Sequence, residues 1–354
     1  MSGSQDKRTK VVIALPWYTG PDECTFPLYF NLMNYFGALR ERTLWRKQLG
    51  HERFMELLPN LPPLDETRGD KGRAEPTEED WQRLGVLDLA MCNFSRTSLV
   101  GRAREHIAEK ALELGYDYIF WWDDDMKFEY STFLRLWRHQ VPAVAALAFT
   151  ARHPVFPVIY KILIADNDTS VERVASTIVK KLRFLQHDLE IGKTLWEKIK
   201  INFGLQVDTG NVFTREEWDY VNKVVRYLTG NKHSYSSVPV FDYPREQLIS
   251  GEDIGGELAF GSGVMLTDCE VFRRIPQPWF SSTGCGEDWM FCTRMMEHGI
   301  PRYVDTSVKT YHREHAPRWI NEESYWLQRR SAPEAYEHDF PGIIPPVPEA
   351  EAAD

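Results

Sequence analysis

Hydrophobic and polar positions along this chain switch between a strand-like and a helix-like period. The apolar run Lys10-Val-Val-Ile-Ala-Leu15 predicts a buried strand, ending in a turn at Pro16-Trp17-Tyr18-Thr19-Gly20. Phe26, Tyr29, Leu32 and Met33 have helical spacing, which predicts a helix from Thr25 towards Arg40. The basic stretch Arg40 to Arg53 keeps a helical pattern of its own, and Leu58 to Glu75 is a surface loop of prolines, glycines and mixed charges. Leu87 to Met91 is the second strand. Ser95 or Thr97 then caps a helix that reaches Leu114 and stops at Gly115. Tyr118-Ile-Phe-Trp-Trp122 is uncharged, aromatic and β-branched, the composition of a strand buried on both faces. A helix over Thr132 to His139 and a strand over Val141 to Phe149 follow.

The pattern then changes. Pro154 to Lys161 resembles a hairpin arm, and from Asp166 to Ser250 the chain is charged, with helices expected over Glu172–Phe184, Lys193–Ile201 and Arg215–Leu228. Buried-strand patterning returns at Glu257-Leu-Ala-Phe260. Thr267 with Glu270 forms a capping box for a short helix to Arg274. Glu287 to His298 is a helix closed by Gly299, with short strands at Tyr303–Asp305 and Val308–Tyr311. Strands alternating with helices imply an α/β fold, a Rossmann-like mixed central sheet flanked by helices and carrying a helical insertion. The expected division is a disordered 1–9, a first core half 10–160, an insertion 161–254 and a second core half 255–320. An extension over 321–354 ends in a disordered, proline-rich and acidic tail from Pro341.

Composition narrows the function. The 354 residues carry a formal charge of −10, which argues against non-specific coating of nucleic acid. Cys24, Cys92, Cys269, Cys285 and Cys292 are odd in number and lack C-x-x-C spacing, as expected of reduced, packed thiols. No uncharged run approaches the roughly 20 apolar residues of a spanning helix. Met1 to Thr9 has no apolar signal segment, so a cytoplasmic protein with no membrane partner is expected.

Four motifs could carry chemistry. Asp123-Asp124-Asp125 follows the Tyr118–Trp122 strand, at the carboxyl end where open α/β sheets bind ligands. Crowded carboxylates need a positive partner, and their hard oxygens favour Mg²⁺ or Mn²⁺ with a phosphorylated substrate completing the shell. Asp123 and Asp125, two apart in a tight turn, can face one ion while Asp124 points elsewhere. Gly261-Ser262-Gly263 follows a strand, and its glycines let backbone approach a ligand closely. Glu287 and Asp288 open a helix behind Gly284-Cys285-Gly286, where a helix end favours ionised carboxylates. His312 follows a late strand and offers a neutral imidazole as a further metal ligand. Arg102 and Arg104, on the helix before the aspartate strand, could pair with a diphosphate or with the aspartates, or stay solvated with Glu105 as partner of Arg102.

In this order the motifs resemble the GT-A glycosyltransferases, specifically the family-2-like enzymes common in bacteriophages. The matching stretches are Leu15–Tyr18, Ser98–Arg104, Phe120–Met126, Gly261–Leu266, Gly286–Cys292 and Tyr303–Asp305 through His312. The resemblance implies a GT-A fold and a metal-dependent transfer from a nucleotide-sugar donor, with a UDP-sugar expected, to an acceptor hydroxyl. It implies that Asp123, Asp125 and His312 hold Mn²⁺ or Mg²⁺, that Asp288 is the base of an inverting displacement, and that Glu287 orients the acceptor. Pro16, Trp17 and Tyr18 would border the nucleotide, with Arg102, Arg104, Asp124, Gly261, Ser262 and Gly263 completing the donor site. Glu105 departs from the pattern, since relatives often carry asparagine there. A hydroxylated base in phage DNA is one expected acceptor, and a protein or glycan is the alternative. A non-catalytic nucleotide-sugar-binding module is the alternative outside enzymes.

Overall fold

The computed structural model describes residues 8–16, 26–61, 64, 76–93, 100–151, 153–166, 233–280, 286–315, 318–339 and 343–344. The caps at Ser95 or Thr97, the three helices expected within 167–232 and nearly all of the Pro341–Asp354 tail lie outside these residues. In chain order the described strands begin with β1 (Arg8–Leu15), β2 (Val86–Asn93), β3 (Tyr118–Trp122), β4 (Met126–Phe128), β5 (Ala143–Leu147) and β6 (Ile159–Asp166). The second half adds β7 (His233–Pro239), β8 (Leu248–Ile249), β9 (Glu257–Phe260), β10 (Val264–Asp268), β11 (Tyr303–His315) and β12 (Arg318–Ile320).

The main sheet has the order β12-β11-β5-β10-β3-β1-β2. β1 runs parallel to both β2 and β3, β5 runs parallel to β11, and β10 lies antiparallel between β3 and β5. The chain leaves β1 for β2 on one side, then returns to β3 on the other. Order therefore reverses at β1 and β3, and the crevice beyond their carboxyl ends is where open sheets take ligands. This is a mixed α/β sheet flanked by helices.

β3 lies at the centre because nothing in it wants water. Ile119, Phe120, Trp121 and Trp122 are fully buried. Phe120 and Trp122 pack against Phe128 on one face, where Phe36 and Phe133 also meet Phe120, while Trp121 packs against Phe272 and Phe280 on the other. Truncating such a buried aromatic costs about 3–5 kcal/mol. On the Phe120 face, α1 (Phe26–Leu49) buries Leu32, Tyr35, Phe36 and Leu39. It is pinned to β2 by Leu87 N–H donating to Thr43 Oγ1 at 3.0 Å.

Several elements differ from expectation. The basic stretch from Arg40 is the second half of α1, broken by Gly50 at φ 80° before α2 (His51–Leu57). The unforeseen α3 (Glu78–Leu84) opens on a reciprocal box between Thr77 and Asp80. α4 (Val100–Glu113) and α5 (Thr132–Arg138) fall where expected, with Gly115 at φ 68° just beyond α4. Thr267 is no cap: it belongs to β10, and its Oγ1 accepts from Trp121 Nε1 at 3.2 Å. The cap of the helix Cys269–Arg274 is Asp268, one residue later, whose carboxylate takes the Glu270 amide.

The two short strands expected over 303–311 are the single strand β11. Their apparent break is a bulge against β5 between Asp305 and Lys309, where Thr306 donates to the Pro244 carbonyl and Ser307 to the Asp305 carboxylate. Pro157 makes only an isolated bridge to Phe149, and the expected arm begins as β6 at Ile159. Within the 161–254 stretch, the described parts include β6 and β7, which with β9 form the antiparallel sheet β7-β6-β9. Helices over Glu322–Ser331 and Pro333–Asp339, also unforeseen, bury Tyr325, Trp326 and Tyr336 against the core. Cys92, Cys269 and Cys292 are free thiols. No described helix is long and apolar enough to cross a membrane.

Candidate active site

The aspartate turn is built from backbone. Asp123 follows the last residue of β3, and its amide donates to the Gly263 carbonyl at 2.9 Å. The Asp123 carbonyl accepts from Met126 N at 3.1 Å, closing the turn, and the Asp125 carbonyl accepts from Arg313 N at 2.8 Å. β4 leaves the turn and pairs with β11, setting His312 opposite Met126. Residues 187 apart thereby meet: His312 Nε2 stands 3.2 Å from Asp125 Oδ2.

Behind the turn sits Arg104, its side chain fully buried. Nη2 donates to both oxygens of Asp123, at 2.6 and 2.8 Å. Nη1 donates to Glu287 Oε1 at 2.5 Å and to Asp288 Oδ1 at 2.8 Å. The carboxylates keep 24%, 23% and 30% exposure, so the guanidinium is the floor of the site and the carboxylates are its rim. α4 approaches closely enough because residue 101 is glycine: a Cβ there would lie 2.5 Å from the Phe280 carbonyl oxygen.

One guanidinium faces three carboxylates, leaving two negative charges uncompensated if all are ionised. Burial pushes the Asp123 carboxyl up to about 7; Arg104 opposes the rise, and Asp125, Asp288 and Glu287 add to it. Burial likewise raises Glu287, joined by the charge of Asp288 and opposed by Arg104. Burial works against ionisation of Arg104, but Asp123, Asp288 and Glu287 outweigh it and hold the guanidinium firmly charged. Such a site invites a further cation.

Asp288 has two unlike oxygens. Oδ1 accepts from Arg104 and from the buried Ser262 hydroxyl. Oδ2 lies on the side of Gly261, where a Cβ would stand 3.6 Å from it. A Cβ on Gly263 would stand 3.5 Å from Asp123 Oδ2. The Gly261-Ser262-Gly263 segment therefore lines both acidic groups, and on the Asp288 side the bare Gly261 leaves room beside Oδ2.

The donor set fits a divalent cation. His312 Nδ1 lies 2.7 Å from the Phe149 carbonyl, which can only accept, so Nδ1 carries the proton. Nε2 of a neutral ring then turns its lone pair towards Asp125, a contact that needs a proton or a metal between the two. A carbonyl fixing the far nitrogen is the usual support of a metal-binding imidazole. Without metal, burial lowers the His312 pKa, but its hydrogen bond with Asp125 and that residue's charge outweigh burial and raise it. Among the described residues, no group of three or more His, Cys, Asp or Glu is arranged to hold a metal. Two protein ligands with substrate phosphates supplying the rest is the habit of Mg²⁺.

The remaining expectations divide. Pro16 is buried at the end of β1, while Trp17, Tyr18, Gly284 and Cys285 lie outside the described residues. Asp124 is half-buried in the turn, between Asp123 and Asp125. Arg102 points to solvent, and Glu105 is not its partner. Arg104 uses both terminal nitrogens on carboxylates, not on a site for diphosphate. The Phe149 carbonyl was missed, since main-chain groups leave no mark in a sequence. The sequence offers Glu105 only as a partner of Arg102 and as a departure from the family pattern, not as an acceptor for the Trp279 and Phe280 amides.

No known protein-family profile and no curated protein sequence matches this chain. Among solved structures it is similar to the crystal structure of A197 from STIV, at 13% identity and a TM-score of 0.35 over 90% of this chain and 92% of that one. A likeness that slight carries no argument about fold or activity.

Proposed function

We propose that this chain is a metal-dependent glycosyltransferase of the GT-A kind, moving a sugar from a nucleotide-sugar donor to an acceptor hydroxyl. The observation that carries this reading is the meeting of Asp123, Asp125, His312, Glu287 and Asp288 at the carboxyl end of β3, with buried Arg104 behind the acids. The mixed sheet, with one antiparallel strand between β3 and β5, is compatible with it.

In this mechanism Asp125 and His312 would hold the cation, which would offset negative charge on the departing nucleoside diphosphate, while Asp123, the third expected ligand, gives both oxygens to Arg104. Asp288 Oδ2 accepts the proton of the acceptor hydroxyl. The freed oxygen forms a bond to the anomeric carbon as the carbon–phosphate-oxygen bond breaks, and the diphosphate leaves with that electron pair. Arg104 and Ser262 engage Oδ1, which leaves the other oxygen to face the acceptor. Glu287 orients the acceptor beside it. We carry forward a UDP-sugar as donor and a hydroxylated DNA base as acceptor. Nucleoside diphosphate release from a donor panel with Mn²⁺, in the presence of hydroxymethylated DNA or small glycans, tests the reading. Absence of release and of any donor-induced thermal shift overturns it.

A further inference from the structure

We infer that Glu105 is a positioning residue that sets the acceptor-side carboxylates Glu287 and Asp288, acting through Phe280, whose ring packs on the helix that carries them. This rests on the function proposed for Asp288, although the geometry stands without it.

Three residues spaced four apart on α4 face a strap at residues 277–280 and the helix start at Glu287. At its start, Gln277 donates from Nε2 to Glu109 Oε1 at 2.9 Å. In the middle, Glu105 accepts the Trp279 amide on both oxygens at 2.9 Å and the Phe280 amide on Oε2 at 2.8 Å. At the far end Gly101 lets the Phe280 carbonyl and the Glu287 Cβ come against the helix, at 2.5 and 3.2 Å from where its own Cβ would be. The row i, i+4, i+8 is one face of a helix. Arg104, next to Glu105, reaches from the same helix into the site.

The strap matters because Glu287, apart from its bond to Arg104, opens its helix with little local support. The N-cap of its helix is Gly286, with no side-chain cap bond. Phe280 carries the placement onward: its ring stacks on Phe291 of that helix at 4.6 Å and meets Trp121 of β3 at 5.3 Å. Two backbone donors held by one half-buried carboxylate make charge-assisted bonds that a neutral amide cannot reproduce, because the NH₂ of glutamine would face an N–H.

The test is Glu105→Gln, with Glu105→Asp as a milder second variant that keeps the charge and shortens the reach. Hydrogen exchange resolved along the chain should accelerate about tenfold at residues 279–280 and 287–290, with β1 and β3 unchanged. Turnover should fall about tenfold while the donor KM holds, since Asp125 and His312 are positioned by strands. Glu105→Asp should fall between wild type and Glu105→Gln in both. Wild-type exchange at 287–290, or acceleration spread evenly over the protein, overturns the inference. If the wild type releases no nucleoside diphosphate, the proposed activity fails by itself, and the exchange measurement still decides whether Glu105 sets this segment.

Discussion

The two sides of the carboxylate cluster are held by different forces. On one side, Asp123, Asp125 and His312 stand on a turn and a strand whose backbone bonds run to Gly263, Met126 and Arg313. On the other, Glu287 and Asp288 open a helix without a side-chain cap and are fixed by side chains, namely Arg104, Ser262 and, through the strap, Glu105. Main-chain ladders tolerate most substitutions, because every residue type supplies the same donors and acceptors. A position fixed by side chains moves with each of them. The Asp125–His312 side is therefore the rigid reference and the Glu287–Asp288 side the adjustable one.

Substitutions can break this contrast, the largest effect first. Asp288→Asn removes the proton acceptor and should lower turnover by about 10²–10⁴, with donor binding by thermal shift unchanged. Turnover near the wild-type value would strip Asp288 of that role. Arg104→Met leaves three carboxylates facing one another without their counter-ion, on both sides at once. Urea unfolding should show a loss of about 3–5 kcal/mol, and an unchanged midpoint would mean that the guanidinium links nothing.

Asp125→Asn should weaken Mn²⁺ binding about 10- to 100-fold by calorimetric titration, as should His312→Gln, with the melting temperature of the metal-free protein little altered. A metal affinity insensitive to both would place the cation elsewhere. Ser262→Ala, which strips one donor from Asp288 Oδ1, should slow turnover about tenfold and leave Mn²⁺ affinity alone. Equal losses in both measurements would erase the distinction between the sides.

The smallest effect is a control far from the cluster. Asp305 is buried, which raises its pKa, but hydrogen bonds from His139 and Ser307 outweigh burial and bring it below the ordinary carboxylate value. A carboxylate lowered by folding contributes stability that is present above its unfolded pKa, about 3.9, and disappears as pH falls through its folded value. Denaturation across that acid range should show this loss in the wild type and lack it in Asp305→Asn, with turnover at neutral pH the same in both. A difference in neutral turnover would tie the β11 bulge to the site.

The sequence by itself determined whatever depends on residues near one another in the chain. The uncharged aromatic run 118–122 could only be a buried strand, and three aspartates directly after it had to lie at its end. Gly115 and Gly299 stopped helices because a positive φ is free for glycine. Where local signals tied, as for Thr267 against Asp268 or the apparent gap at Thr306-Ser307, strand pairing chose, and it lies outside the local window.

Tertiary structure alone decided the rest. Arg102 and Arg104 look equivalent on paper, but two residues turn a helix by about 200°, so one face must be solvent and the other the site. Packing picked Arg104 for the inside. Arg104 and Glu287 are 183 residues apart, and no spacing rule spans that distance. The same holds for Glu105, whose partners are backbone amides that no sequence pattern names. Local propensity laid out the carboxylates, and long-range packing around one buried guanidinium made them a site.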